Sequence, residues 1–127
     1  MACEKKFYKC GVCGNLVEMI HIGGGTMVCC GQEMNQLIPN SVDASTEKHV
    51  PVITVNDGKA TVAVGSVAHP MTAEHLIQWI YVCTETTGKI VYLNPGDEPK
   101  AVFCLDESGK GVAYAYCNLH GLWSANF

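Results

Sequence analysis

Cys117 and His120, a thiol and an imidazole three residues apart, are the pair in this chain best suited to chemistry. They lie in Tyr116-Cys117-Asn118-Leu119-His120-Gly121-Leu122-Trp123, after an alternating run that predicts a strand and just before a glycine. A loop at a strand end can aim both side chains at one metal ion, and ligands this close usually supply half of a site. The chain has five histidines, and His49, His69 and His75 fall together in one earlier region. The candidate set is therefore four imidazoles and one thiolate. Zinc takes four protein ligands, or three with an open position, whereas five ligands with a sixth position free suit iron. Four imidazoles in a plane above a thiolate would leave one open face. The thiolate would push electron density toward a small oxidant bound there, as it does in thiolate-ligated haem.

Any one of these histidines alone would read as an ordinary polar residue near the surface. The Cys117-x-x-His120 spacing before a glycine changes that, because a buried structural cysteine needs no histidine neighbour. Glu47-Lys48-His49 adds charge beside a candidate ligand. On an extended segment Glu47 and His49 would share a face and Lys48 would point away. The Lys48 ammonium would attract a small anion, and Glu47 could cap the vacant position. The bland alternative is a solvated Glu-Lys pair on a loop.

A second cluster lies earlier. Cys10-Gly11-Val12-Cys13-Gly14 is a C-x-x-C-G pattern, repeated in altered form at Cys29-Cys30-Gly31. Such a turn brings two sulfurs to one ion, and the following glycine allows φ > 0, so that N–H groups can turn toward them. Adjacent Cys29 and Cys30 are less usual, since neighbouring side chains must reach the same ion. Tetrahedral sulfur suits zinc and iron alike, so a structural zinc knuckle and a redox iron both remain open here. Eight cysteines could instead mean disulfides, but metal-like spacing favours thiolate ligation. Cys83 and Cys104, each at the end of an apolar strand, read as small buried hydrophobes. Cys3 reads as a free thiol in a mobile terminus and His21 as a surface histidine.

The elements that must position these groups are β throughout. At 127 residues, 48% hydrophobic and 16% charged, the chain can bury a core. Residues 16–21 predict a strand, Gly23-Gly24-Gly25 its turn, and residues 26–28 a returning strand. So short a segment needs a metal crosslink to fold. Residues 32–42 read as a linker, which sets a domain at 1–38 and a second at 39–127. In the second, strands are expected at 50–55, 59–64, 76–82, 89–93, 100–105 and 111–117, with no credible helix. Trp123 is placed to wall the site. Short strands at this spacing argue for an antiparallel, immunoglobulin-like β-sandwich behind a small metal-held domain.

The formal charge of −4, with no basic block, gives nucleic-acid binding little support. No apolar stretch approaches the ~20 residues that span a bilayer. Residues 1–6 lack the apolar core of a signal peptide, so a cytoplasmic location is expected.

With these residues assembled, the chain resembles the desulfoferrodoxin family, the two-iron class of superoxide reductase. Cys10-x-x-Cys13 with Cys29-Cys30 resembles a desulforedoxin-type iron domain. Glu47-Lys48-His49, Ala68-His69-Pro70-Met71, Glu74-His75 and the Tyr116–Trp123 motif resemble the catalytic domain. The resemblance implies that Cys10, Cys13, Cys29 and Cys30 hold one iron, as Fe(Cys)4. It implies a second iron with His49, His69, His75 and His120 equatorial and Cys117 axial. The implied reaction is one-electron reduction of superoxide to hydrogen peroxide. Lys48 would guide superoxide in, and Glu47 would ligate the oxidised resting iron. The resemblance further implies a homodimer fed by a rubredoxin-type electron donor. Calcium at the dimer interface would be a further cofactor, although no residue here marks its ligands.

Overall fold

The computed structural model describes Cys3 and residues 5–127. The chain divides into two compact units, one ending at Ile38 and one formed by Pro39–Phe127 together with Cys3.

The first unit is built from β1 (Lys6–Lys9), β2 (Leu16–Met19), β3 (Val28–Cys29), β4 (Gln32–Glu33) and β5 (Asn35–Gln36). β1 pairs with both β2 and β5, all antiparallel. β3 pairs with β4 in a separate two-residue hairpin. This differs from the expected pairing of residues 16–21 with 26–28 across the three glycines. Those glycines instead leave a wide excursion, and β2 takes β1 as its partner. The expected linker at 32–42 also holds two short strands. The turn of the β3–β4 hairpin explains both changes. Cys30 and Gly31 have φ of 53° and 74°, the left-handed pair that a tight two-residue hairpin demands. Among the described residues of this unit only Phe7, Cys10 and Met34 are buried hydrophobics. That is too few to hold 34 residues by burial alone.

The second unit is a seven-stranded antiparallel sandwich preceded by one helical turn. That turn, α1 (Thr46–His49), leads into β6 (Pro51–Asn56) and β7 (Lys59–Val64). β8 (Ile77–Cys83), β9 (Gly88–Tyr92), β10 (Lys100–Cys104), β11 (Val112–Cys117) and β12 (Gly121–Asn126) follow. One sheet has the order β10-β7-β6 and the other β12-β11-β8-β9, the division expected of an immunoglobulin-like fold. β6 and β7 join through Asp57-Gly58, again both at positive φ. The inner faces meet through Val62, Val64, Ile77, Ile80, Val82, Ala101, Phe103, Ala113 and Ala115, with the Cys117 sulfur at one end of the cluster. β8, flanked in its sheet by β11 and β9, is buried along its length except at Gln78.

Three sequence expectations fail here. Glu47-Lys48-His49 lies in a helical turn, so the alternation of an extended segment does not apply. Cys104 is exposed: on β10 the inward positions are Ala101 and Phe103, and period-two alternation sends the cysteine outward. Cys3 is neither free nor loose. It is buried and joined by a disulfide to Cys83, with Cα atoms 6.0 Å apart. Cys83 is fully buried as expected, but it is not a bare hydrophobe. His21 is exposed, as read from the sequence.

Two tethers hold the site-bearing segments. Asn40 donates its N–H to the Leu122 carbonyl (3.0 Å) and its side-chain amide to the Ser124 carbonyl (3.2 Å), while its Oδ1 accepts from the Ser124 N–H (2.9 Å). At Gly65 the α1 segment approaches so closely that an added Cβ would lie 2.7 Å from the Glu47 carbonyl oxygen and 2.9 Å from that of Val50. Both neighbours are backbone, so one chain must move. Gly65→Ala is expected to cost about 1–3 kcal/mol of stability and to loosen the His49 segment. Denaturant unfolding, with metal content measured on the same preparation, checks it.

Candidate metal centres

The first cluster rests on two turns. Cys10 follows β1 as the start of a C-x-x-C turn, and its sulfur accepts the N–H groups of Val12 and Cys13, both at 3.4 Å. Gly14, at φ 79°, closes that turn by donating to the Cys10 carbonyl. Cys29 and Cys30 come from the β3–β4 hairpin. The left-handed backbone at Cys30 swings its side chain round to the side of its neighbour. This is how two consecutive cysteines reach one point. The four sulfurs lie within 4.8 Å of one another, with Cys13–Cys29 at 3.7 Å and Cys29–Cys30 at 3.9 Å. Sulfurs ~2.3 Å from one tetrahedral ion would be roughly 3.8 Å apart. The site therefore has the dimensions of a filled metal cage.

Electrostatics agrees with the geometry. The two N–H groups hold the Cys10 thiol down to about 6. Cys30 is pushed up to about 12, chiefly by its contact with Cys13, and Cys29 is raised by Cys10 and Cys13. Four sulfurs this close cannot all ionise beside one another without a cation between them.

The second cluster gathers side chains from α1, the β7–β8 loop and the β11–β12 turn. His49 closes α1, and its Nδ1–H donates to the Ser45 carbonyl (2.6 Å). His69 follows the turn after β7. Its backbone N–H binds the Val64 carbonyl, and its Nδ1–H donates to the Pro70 carbonyl (2.7 Å). Val67 N–H and the Ser66 hydroxyl both bind the Glu47 carbonyl, which ties that turn to α1. His75 is set by Thr72, whose hydroxyl and N–H hold the two ends of the loop together. Cys117 ends β11 and pairs with Gly121 across a three-residue turn that carries His120. The positive φ of 79° at Gly121 makes this tight return possible.

Asn118 lies in the same turn and joins two pieces of the site. Its Oδ1 accepts the Leu76 N–H (3.0 Å), and its amide donates to the Glu74 carbonyl (2.8 Å). It thus clasps both sides of His75. Nothing in its residue type announced this role, and only the fold brings positions 74–76 beside 118.

The ligand atoms of His49, His69, His75 and Cys117 lie within 4.8 Å of one another. His120 joins them through Nδ1, which is 3.1 Å from His49 Nε2 and 3.8 Å from the Cys117 sulfur. Neighbouring rings stand edge to face around a circuit of His49, His69, His75 and His120, with centroids 4.6–5.1 Å apart. Across the circuit, His49 and His75 are 6.4 Å apart. Each sequence-predicted histidine is thus brought to one point, and Cys117 lies with them.

The nitrogens require a cation. His49 and His69 each spend their Nδ1 proton on a carbonyl, so both Nε2 atoms carry lone pairs. Yet those two atoms are 3.2 Å apart. Two lone pairs facing each other repel unless an ion is shared. Nitrogens ~2.1 Å from one ion at right angles would be about 3.0 Å apart, close to what is seen. The Nε2 of His75 is buried with no hydrogen-bond partner at all, another donor aimed at the same place.

Burial favours the neutral form of His49, His69 and His75. It lowers His69 to about 4 and is also the largest cause at His49 and His75, where neighbouring charged imidazoles add to it. Neutral imidazole is the metal-binding form. Burial pushes the Cys117 thiol up, although the His120 N–H bound to its sulfur at 3.4 Å works the other way. A thiolate there therefore calls for a positive partner.

Trp123 walls the cluster. Its ring stacks on His49 at 4.9 Å, and its indole N–H donates to the His120 carbonyl (3.1 Å). Glu47 and Lys48 are exposed on α1, immediately before His49. The Glu47 backbone N–H, with the Lys48 charge assisting, holds its carboxyl below the usual range. Two donor sets of this composition, one all sulfur and one nitrogen with sulfur, fit two iron ions. Among the described residues no helix is long and apolar enough to cross a membrane.

Comparison with known proteins agrees. Residues 41–126 match the desulfoferrodoxin family, and residues 2–37 match the desulfoferrodoxin N-terminal domain. A desulfoferrodoxin of Syntrophotalea carbinolica is 50% identical over 125 residues, covering 98% of each chain. A superoxide reductase of Pyrococcus horikoshii is 44% identical and covers 65% of this chain and 88% of its own. The crystal structure of the superoxide reductase from Treponema pallidum superposes with a TM-score of 0.78 at 35% identity, over 97% of this chain and 99% of that one. With both of its units matched, and both holding the donor sets of an iron centre, the chain belongs to the desulfoferrodoxin family.

Proposed function

We infer that this chain is a superoxide reductase, which reduces superoxide by one electron to hydrogen peroxide without releasing dioxygen and so removes superoxide. The observation that carries this reading is the convergence of four imidazoles and the buried Cys117 sulfur on one point. His49, His69, His75, His120 and Cys117 are assigned as ligands of the catalytic iron, and Cys10, Cys13, Cys29 and Cys30 as ligands of the other. Bound there, the catalytic iron supplies the electron that superoxide accepts.

The chain's own residues set the conditions. The Cys117 sulfur is fixed by the His120 N–H, and the Nδ1 bonds of His49 and His69 lock tautomer and ring plane. The stack of Trp123 on His49 keeps that ring from rotating and shuts water out on its side. Lys48 draws the anion in, since its exposed ammonium lies one residue before a ligand. Superoxide must gain one electron and two protons to leave as hydrogen peroxide, and solvent at exposed α1 is the source of the two protons. Glu47, ionised at neutral pH, is assigned to close the open position in the oxidised resting state. The same reading extends to a cytoplasmic homodimer fed by a rubredoxin-type donor.

Supplying superoxide and a reduced donor tests this. Peroxide should form in step with superoxide consumed, with no dioxygen. One dioxygen for every two superoxide would instead mean dismutation.

Asn118→Ala should lower iron occupancy of the second site, and with it the rate, by roughly tenfold or more, the usual cost of losing a group that orients a ligand. Iron analysis and the steady-state rate check it, and Asn118→Asp, which keeps the Leu76 bond, should lose less.

A further inference from the structure

Three cysteines take no part in either metal cluster, and two of them are placed together. Cys3 and Cys83 are 80 positions apart in sequence, and both belong to the same compact unit. Their Cα separation of 6.0 Å lies within the range a disulfide spans without backbone movement. Cys83 is fully buried at the end of β8, where the strand is paired on both sides, with Gly88 and Val112. It is therefore a fixed anchor. Cys3 is 7% exposed, which leaves it the more accessible of the two. Cys104 offers a contrast, being an exposed thiol on β10 outside both metal clusters.

We propose that Cys3 and Cys83 are a peroxide-driven modification site, a thiol pair that the product of this chain's own reaction converts to a disulfide. The oxidant rests on the reductase reading given above; the pairing does not. Cys3 as thiolate attacks hydrogen peroxide, so an S–O bond forms, the O–O bond breaks and one water leaves after protonation. The Cys83 sulfur then attacks the Cys3 sulfur. The S–S bond forms, the S–O bond breaks and a second water leaves. Two thiols lose two electrons and two protons, and one peroxide becomes two waters. Cellular thiols reverse the bond by exchange.

The consequence is a covalent one. Residues between 3 and 39 form the first unit, so once the bond exists that unit is held to the sandwich at both of its ends. Closing so long a loop also restricts the unfolded chain.

The test uses the iron-loaded protein, first reduced and then freed of reductant. In one arm it receives stoichiometric hydrogen peroxide; in the other it receives superoxide and an electron donor, with and without catalase. Remaining thiols are trapped with N-ethylmaleimide under denaturing conditions and the chain is mapped by mass. The expected result is a Cys3–Cys83 cross-linked peptide in both arms, suppressed by catalase in the second. A thermal midpoint several degrees higher than that of the reduced protein should accompany it. Cys3→Ser and Cys83→Ser should each remove the cross-link and leave superoxide consumption unchanged. Maleimide on both cysteines after added peroxide, or sulfinic acid at Cys3 with no cross-link, would overturn the proposal. In the superoxide arm, peroxide formed without a cross-link counts against this site. Absence of peroxide there counts instead against the reductase reading.

Discussion

Cys117→Ser is expected to lower the rate of superoxide reduction by at least ~100-fold, more than the 10–100-fold typical of groups that only orient a ligand. The fold and the first iron should survive. The Cys117 side chain is wholly buried, and serine occupies nearly the same space. What changes is the donor. Burial already raises the thiol, and a hydroxyl in the same place ionises far less readily, so the negative charge that the sulfur would bring to the ion is lost. The sulfur-to-iron charge-transfer absorption of the second centre should vanish, while that of the Cys10-Cys13-Cys29-Cys30 centre remains as an internal control. A variant that kept more than about a tenth of the parent rate would show that the thiolate is not central to the chemistry.

The second large effect concerns the other iron. Removing it should unfold residues 5–38 and leave the sandwich standing. Only three hydrophobic side chains are buried among the described residues of that unit, and structural zinc contributes roughly 10–16 kcal/mol to folding in comparably small domains. The sandwich has a separate core spread over four strands. Limited proteolysis before and after chelation checks this. Cleavage should rise steeply within 5–38 and stay slow beyond 39. Trp79 and Trp123, both buried in the sandwich, report on its integrity by fluorescence. If the first unit kept its protease resistance without metal, its short strands would have to be more stable than their burial allows.

Much of this site could be read before any fold was known. Cys117-x-x-His120-Gly and Cys10-x-x-Cys13-Gly are local, since a single turn sets both ligands and the glycine makes that turn possible. The strands that alternate or run apolar, such as β7 and β8, were equally plain. What escaped has a common cause. α1 is four residues long, below the length at which any periodicity shows, so Glu47 and Lys48 were placed on an extended segment. β12 went unassigned because its first residues also serve as the site's glycine turn. The partner of β2 was misassigned because three glycines resemble a hairpin turn, while the true hairpin hides in Cys30-Gly31. Asn118 and the Cys3–Cys83 pair depend on contacts across 42 and 80 positions, and no local pattern encodes such distances.

Asn40, finally, decides where this protein can grow. β12 is an outer strand, and an outer strand normally offers free N–H and C=O groups to any extended peptide that drifts past. Here the Asn40 amide and backbone occupy the Leu122 and Ser124 groups on that flank, as a fragment of a neighbouring strand would. The flank beside Trp123 is therefore sealed against strand addition, which would otherwise drag the metal-walling ring out of place. β9 at the far side of the same sheet carries exposed Ile90 and Tyr92. Any extended partner that lengthens this sheet must do so there, at the margin remote from β12.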